Sequence, residues 1–192
     1  MSIAVPLAPK RRRGHLRVAA ILQAAEDLFA EKGYDAATMT EIAARSKTAI
    51  GSLYRFFPNK DVLAEALLAE YVARVTEILD EIAEQAAGMG PRALAEALVA
   101  YRIALKPHRR VAFALLEASG ILSGKRSELR TALRARLAGL LRQALPELDE
   151  ARADEMTRVT QHLLKLVSET QPGEDAVAAD VADLLTAYFT RR

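Results

Sequence analysis

The chain has 192 residues, half of them hydrophobic (51%), with 27 Lys and Arg against 25 Asp and Glu and no cysteine. That length buries a substantial core, and the apolar share with mixed charge excludes wholesale disorder. Without cysteine there is no disulfide, thiolate metal site or cysteine nucleophile, and three scattered histidines (His15, His108, His162) make a poor metal set, so neither metal nor cofactor is expected. Residues 1–60 hold ten basic and five acidic side chains, net +5, whereas residues 61–192 hold seventeen and twenty, net −3. A basic first third on a mildly acidic body suits a polyanionic partner.

Taken in chain order, residues 1–9 carry two prolines and no periodicity, and Lys10, Arg11, Arg12 and Arg13 follow as a positive cluster. A flexible basic tail is expected over 1–13. Apolar residues before a basic run are the wrong order for a secretory signal, and charge interrupts every apolar stretch short of a membrane span, so a cytoplasmic protein with no membrane partner is expected. From His15 to about Lys32, Ala19, Leu22, Ala25, Leu28 and Phe29 recur at three and four, an amphipathic helix with Gly33 at its C-terminal cap. Thr38-Met39-Thr40-Glu41 has the form of a capping box and opens a short helix ending near Ser46. A second short helix runs from Ile50 to about Phe56, stopped before Pro58, and Asn59 caps a long helix from Lys60 to about Gln85.

Beyond Gly88-Met89-Gly90-Pro91 the pattern is helical throughout: about 91–106, 107–119, 127–145, 149–170 and 174–191. No strand pattern or internal repeat stands out. The fold expected is all-α, with about nine helices: a three-helix helix-turn-helix domain over 14–74 and a larger helical bundle over 75–192.

The two short helices follow a longer one inside the basic third, as in a helix-turn-helix whose second helix enters a major groove about 12 Å wide. Inward positions should be Ile42, Ala43, Leu53 and Phe57, with Ser52, Tyr54 and Arg55 outward. The run FAEKGYDAATMTEIAARSKTAIGSLYRFFPNKDVL resembles the DNA-binding domain of the TetR family of transcriptional regulators, the likeness covering about His15 to Ala73. The resemblance implies phosphate contacts from Thr38, Thr40 and Lys60, contact with phosphate or base edges from Tyr54, Ser52 facing the groove, and Arg55 at a variable position suited to direct base readout. The turn departs from the usual Gly-Val-Ser. Lys47 stands where glycine would accept a left-handed backbone, Ala49 lacks a capping hydroxyl, and Thr48 is left to contact phosphate or replace the cap. Lys47, Thr48, Arg12 and Arg13 complete the candidate DNA contacts.

The resemblance further implies a homodimer through the last two helices, a palindromic operator in double-stranded DNA, and a small-molecule effector that shifts operator affinity, most simply as a repressor. Met156, Val159, Leu163, Leu166 and Val167, with Val177, Val181, Leu184, Leu185 and Phe189, supply the apolar faces. Tyr101, His108, Phe113, Glu117, Met156 and His162 are candidate ligand contacts, and Arg102, Lys106, His108, Arg109 and Arg110 a candidate anion cluster. Two other readings stay open: a protein-interaction module with a degenerate helix-turn-helix, for which the altered turn speaks, and an all-α enzyme. The latter lacks a Gly-rich phosphate loop, a Gly-x-Ser-x-Gly elbow and a His-Glu-x-x-His pair, so no catalytic residue is assigned.

Overall fold

Three- and four-residue spacing of apolar side chains produces nine α-helices among the described residues, which are 12–118, 123–170 and 175–191 of a computed structural model. They are α1 (Arg12–Ala36), α2 (Met39–Arg45), α3 (Ile50–Phe56), α4 (Lys60–Ala86), α5 (Pro91–Ala104), α6 (Lys106–Ala118), α7 (Ser123–Ala144), α8 (Glu150–Glu169) and α9 (Asp175–Thr190). No strand occurs among these residues. No helix among them is long and apolar enough to cross a membrane.

Local signals set most boundaries. Asn59 Oδ1 accepts from the Val62 amide at 2.8 Å and opens α4, and Asp149 Oδ1 accepts from the Arg152 amide at 2.8 Å and opens α8. The expected tail is shorter than 1–13: Arg12 and Arg13 already belong to α1, arginine being a good helix former. Lys10, Arg11 and the residues before them lie outside the described residues.

The chain divides into two compact units, and the division differs from the expected one. One unit runs to Val72 and takes in Pro107–Ser127; the other comprises Ala73–Lys106 and Glu128–Arg192. Most of α6 belongs with the N-terminal helices. Its His108 Nδ1 is hydrogen-bonded to Glu26 Oε1 of α1 at 2.6 Å, and its Val111, Ala112, Leu115 and Leu116 are buried. In the second unit α5, α8 and α9 pack together. Leu94, Leu98 and Tyr101 of α5, Met156, Leu164 and Val167 of α8, and Val181, Leu185 and Phe189 of α9 are buried.

The apolar faces expected on the last two helices therefore split. Met156, Val167, Val181, Leu185 and Phe189 serve the core of their own unit, Val159, Leu163 and Val177 are half-buried, and Leu166 and Leu184 remain 47% and 54% exposed.

Candidate nucleic-acid interface

The helix pair is assembled by short-range hydrogen bonds. At the start of α2 the capping box closes completely. The Glu41 amide donates to Thr38 Oγ1 at 3.3 Å, while the Thr38 amide and hydroxyl both donate to Glu41 Oε2 at 3.0 and 2.8 Å. Lys32 also pairs with Glu41. These bonds, the Lys32 ammonium first and then the Thr38 hydroxyl and amide, hold the Glu41 carboxyl down at about 2. It stays ionised far into acid, so the box persists there.

The turn is a complete Schellman cap built without glycine. The Thr48 amide donates to Ala43 O at 2.9 Å and the Lys47 amide to Ala44 O at 3.2 Å, with Lys47 at φ 51°. Lysine in this left-handed conformation carries the backbone strain that the glycine-bearing pattern avoids. Ala49 begins α3 without a side-chain cap. Ile42, Ala43, Leu53 and Phe57 are all buried, and the small Ala43 lets the two helices cross closely.

Lys60 locks the end of α1 to the start of α4. Gly33 interrupts α1 at φ 83° and ψ 165°, a region open essentially to glycine alone. The redirected chain aims three carbonyls at one point. Lys60 Nζ donates to Tyr34 O, Asp35 O and Ala37 O at 2.7, 3.1 and 3.0 Å, and lies 4.4 Å from the centroid of the Tyr34 ring. The Tyr34 hydroxyl donates to Asp61 Oδ1 at 2.5 Å, and burial together with this bond raises its pKa.

These contacts sort the expected DNA contacts. An ammonium has three hydrogens, and here Lys60 gives all of its own to backbone carbonyls, tying the end of α1 to the start of α4. Thr38 spends both its hydroxyl and its amide hydrogen on Glu41. Thr48 is buried, its hydroxyl donating to Ser46 O at 3.3 Å, so it neither caps α3 nor faces outward. Thr40, Lys47, Tyr54 and Arg55 are exposed and Ser52 half-buried; Arg12 and Arg13 are exposed in the first turn of α1. Among the five basic residues from Lys32 to Lys60, Lys32 pairs with Glu41, Arg45 makes a two-pronged bridge to Glu31 at 2.6 and 2.8 Å, and Lys60 is spent. Lys47 and Arg55 have no carboxylate partner among the described residues; the Arg55 guanidinium only leans over the Phe56 ring at 5.2 Å.

The exposed side of α3 is thus Ile50, Gly51, Tyr54 and Arg55. Sequence reasoning missed Ile50 and Gly51. The signal was available: Ile50 and Gly51 lie four residues before Tyr54 and Arg55, on the same helical face.

Residues 21–67 match the sequence model of the bacterial regulatory proteins, tetR family. The match runs from within α1 into the start of α4. The chain is similar to the HTH-type transcriptional repressor Rv3405c of Mycobacterium tuberculosis, 44% identical over 86 residues, 42% of this chain and 46% of that protein. The chain thus spans about half the length of such curated relatives. A longer match, 32% identical over 127 residues, 63% of this chain and 61% of the relative, is to the HTH-type transcriptional repressor KstR2 of Rhodococcus jostii. In fold, this chain is similar to a TetR-family transcriptional regulator from Mesorhizobium loti, with a TM-score of 0.73 at 19% identity, covering 93% of this chain and 97% of the other.

The ligand candidates are divided between the two units. His108, Phe113 and Glu117 belong to the first unit, and Tyr101, Met156 and His162 to the second. Tyr101 and Met156 are buried, but His162 is exposed, its Nδ1 2.7 Å from Arg158 O. Phe113 lies under the Arg109 guanidinium at 4.3 Å. The anion cluster also disperses: Arg102 Nε donates to Leu164 O at 3.0 Å, Lys106 to Thr170, and His108 bonds Glu26. Side chains adjacent in sequence across α5 and α6 thus serve separate structural contacts.

Proposed function

We propose that the chain is a DNA-binding transcriptional regulator acting as a homodimer, each copy laying the outer face of α3 in the major groove of a palindromic operator. The observation that carries this reading is the outward row Ile50, Gly51, Tyr54 and Arg55, with Lys47 beside it, on a helix whose other side is locked into the core. Lys47 and Arg55, cations without carboxylate partners among the described residues, flank an aliphatic and aromatic surface of Ile50 and Tyr54, which suits phosphate positioning and base-edge contact. The complete Schellman cap at the altered turn supports an intact helix-turn-helix over a degenerate one. Repression is the simplest outcome, since a dimer seated on an operator occludes it. The test is a titration of duplex binding against salt. Affinity falls steeply, by about 0.9 log units per log unit of salt for each phosphate neutralised; binding insensitive to salt, or none, contradicts the reading.

The dimer rests on what the second unit leaves outside. Leu166 and Leu184 are exposed on α8 and α9, and Val159, Leu163 and Val177 half-exposed. A second copy related by a two-fold axis covers the same patch on both partners. Leu166→Glu together with Leu184→Glu yields a folded monomer in analytical ultracentrifugation, with weaker operator binding; a variant that remains dimeric removes these residues from the interface.

A small-molecule effector fits the second unit best. Thr157 and Thr160 of α8 are fully buried, yet their hydroxyls have no hydrogen-bond partner among the described residues. By contrast, Thr186 and Thr190 of α9 each donate to a carbonyl four residues back at 2.7 Å. An unsatisfied buried hydroxyl costs about 1–3 kcal/mol, and an apolar ligand with one hydrogen-bonding group would recover that cost. Such a ligand shifts DNA binding only by its differential affinity for the two states of the dimer. Thr157→Val, similar in shape without the hydroxyl, therefore stabilises the free protein by about 1 kcal/mol. A drop in denaturation midpoint shows instead that the hydroxyl is satisfied.

A further inference from the structure

We propose that Ile50 reads the C5 methyl group of a thymine, and so sets an A·T pair at one fixed position of each half-site. This rests on the DNA-binding reading above and names the base that one residue selects.

Ile50 is the first residue of α3 and 42% exposed, whereas Ile21 and Ile42 of the same unit are fully buried. A β-branched residue at an exposed helix start offers poor helix propensity and only partial packing, and α3 has no side-chain cap to compensate. Its exposed part is free for a contact outside the domain. Its surroundings on the outer face suit a duplex: Lys47 in the turn before it and Arg55 further along bring charge complementary to phosphate, and Tyr54 lies one turn on, 46% exposed.

Gly51 sets the depth of approach. A Cβ built there meets nothing within 4 Å, so the glycine leaves open space on the face beside Ile50. With no side chain standing between backbone and groove, the short branched side chain of Ile50 reaches a base edge. Recognition helices of this kind touch bases with their N-terminal residues, where Ile50 lies.

The chemistry then selects one base. In the major groove only thymine presents a methyl group; guanine, adenine and cytosine present donors and acceptors. An aliphatic side chain gains from covering the methyl, but leaves any of the polar edges desolvated and unpaired. Ile50 thus favours thymine and disfavours the alternatives at the same position.

The experiment uses the full chain and the tightest duplex it selects from a random-sequence library. Each thymine is replaced in turn by deoxyuridine, which lacks only the methyl. Wild-type protein loses affinity about fourfold at one thymine per half-site, and Ile50→Ala binds the thymine and uracil duplexes equally at that position. Sensitivity at no thymine, or the same loss in Ile50→Ala, overturns the inference while leaving DNA binding intact. Failure to enrich any duplex overturns the functional reading itself, and the role of Ile50 with it.

Discussion

Replacing Lys60 with methionine lowers the melting temperature by about 5–10 °C but leaves the salt dependence of DNA binding unchanged. Methionine keeps an apolar stem of similar length and removes the ammonium that gathers Tyr34 O, Asp35 O and Ala37 O. Hydrogen bonds to a charged donor contribute about 1.5–3 kcal/mol each in favourable settings. Partial exposure of this site reduces the sum to about 2–3 kcal/mol for the set. A lysine spent on phosphate would behave in the opposite way: little change in stability, and a salt slope smaller by about one. Thermal denaturation and a salt titration on the same variant separate the two roles. An unchanged melting temperature with a reduced slope returns Lys60 to the DNA contacts.

The double variant Tyr54→Ala with Arg55→Ala abolishes most operator affinity, by about a hundredfold or more, without changing helicity or the dimer. Both side chains are exposed on α3, and the core residues beside them, Leu53 and Phe56, are untouched. An arginine paired to a base edge is worth about 1–3 kcal/mol, and a two-fold dimer uses it twice. Arg55→Ala alone relaxes base preference at one position of each half-site. Retained affinity and preference in these variants would place the reading face elsewhere.

Much of this arrangement is legible in the sequence because it rests on rules acting within a few residues. The Thr38 and Glu41 box, the Asn59 cap, and the burial of Ile42, Ala43, Leu53 and Phe57 follow from spacing alone. The left-handed Lys47 follows from the turn position where the family pattern carries glycine. What the sequence conceals is any contact made across a longer span. The Lys60 ammonium meets carbonyls 23 to 26 residues away, and His108 meets Glu26 across 82 residues. No local pattern encodes either. Thr48 is an intermediate case. Once Lys47 takes the left-handed position, the next residue closes the Schellman cap against α2, and its burial follows.

On the proposed function, the exposed face of α3 occupies the major groove, twice per dimer. Guanine N7 faces that groove, so chemical methylation of N7 in the selected duplex, with and without the protein, tests the claim directly. Two protected patches centred about one helical turn, or a multiple of it, apart, both lost in Tyr54→Ala with Arg55→Ala, are the predicted result. Undiminished N7 reactivity across a duplex that the protein demonstrably binds would contradict it.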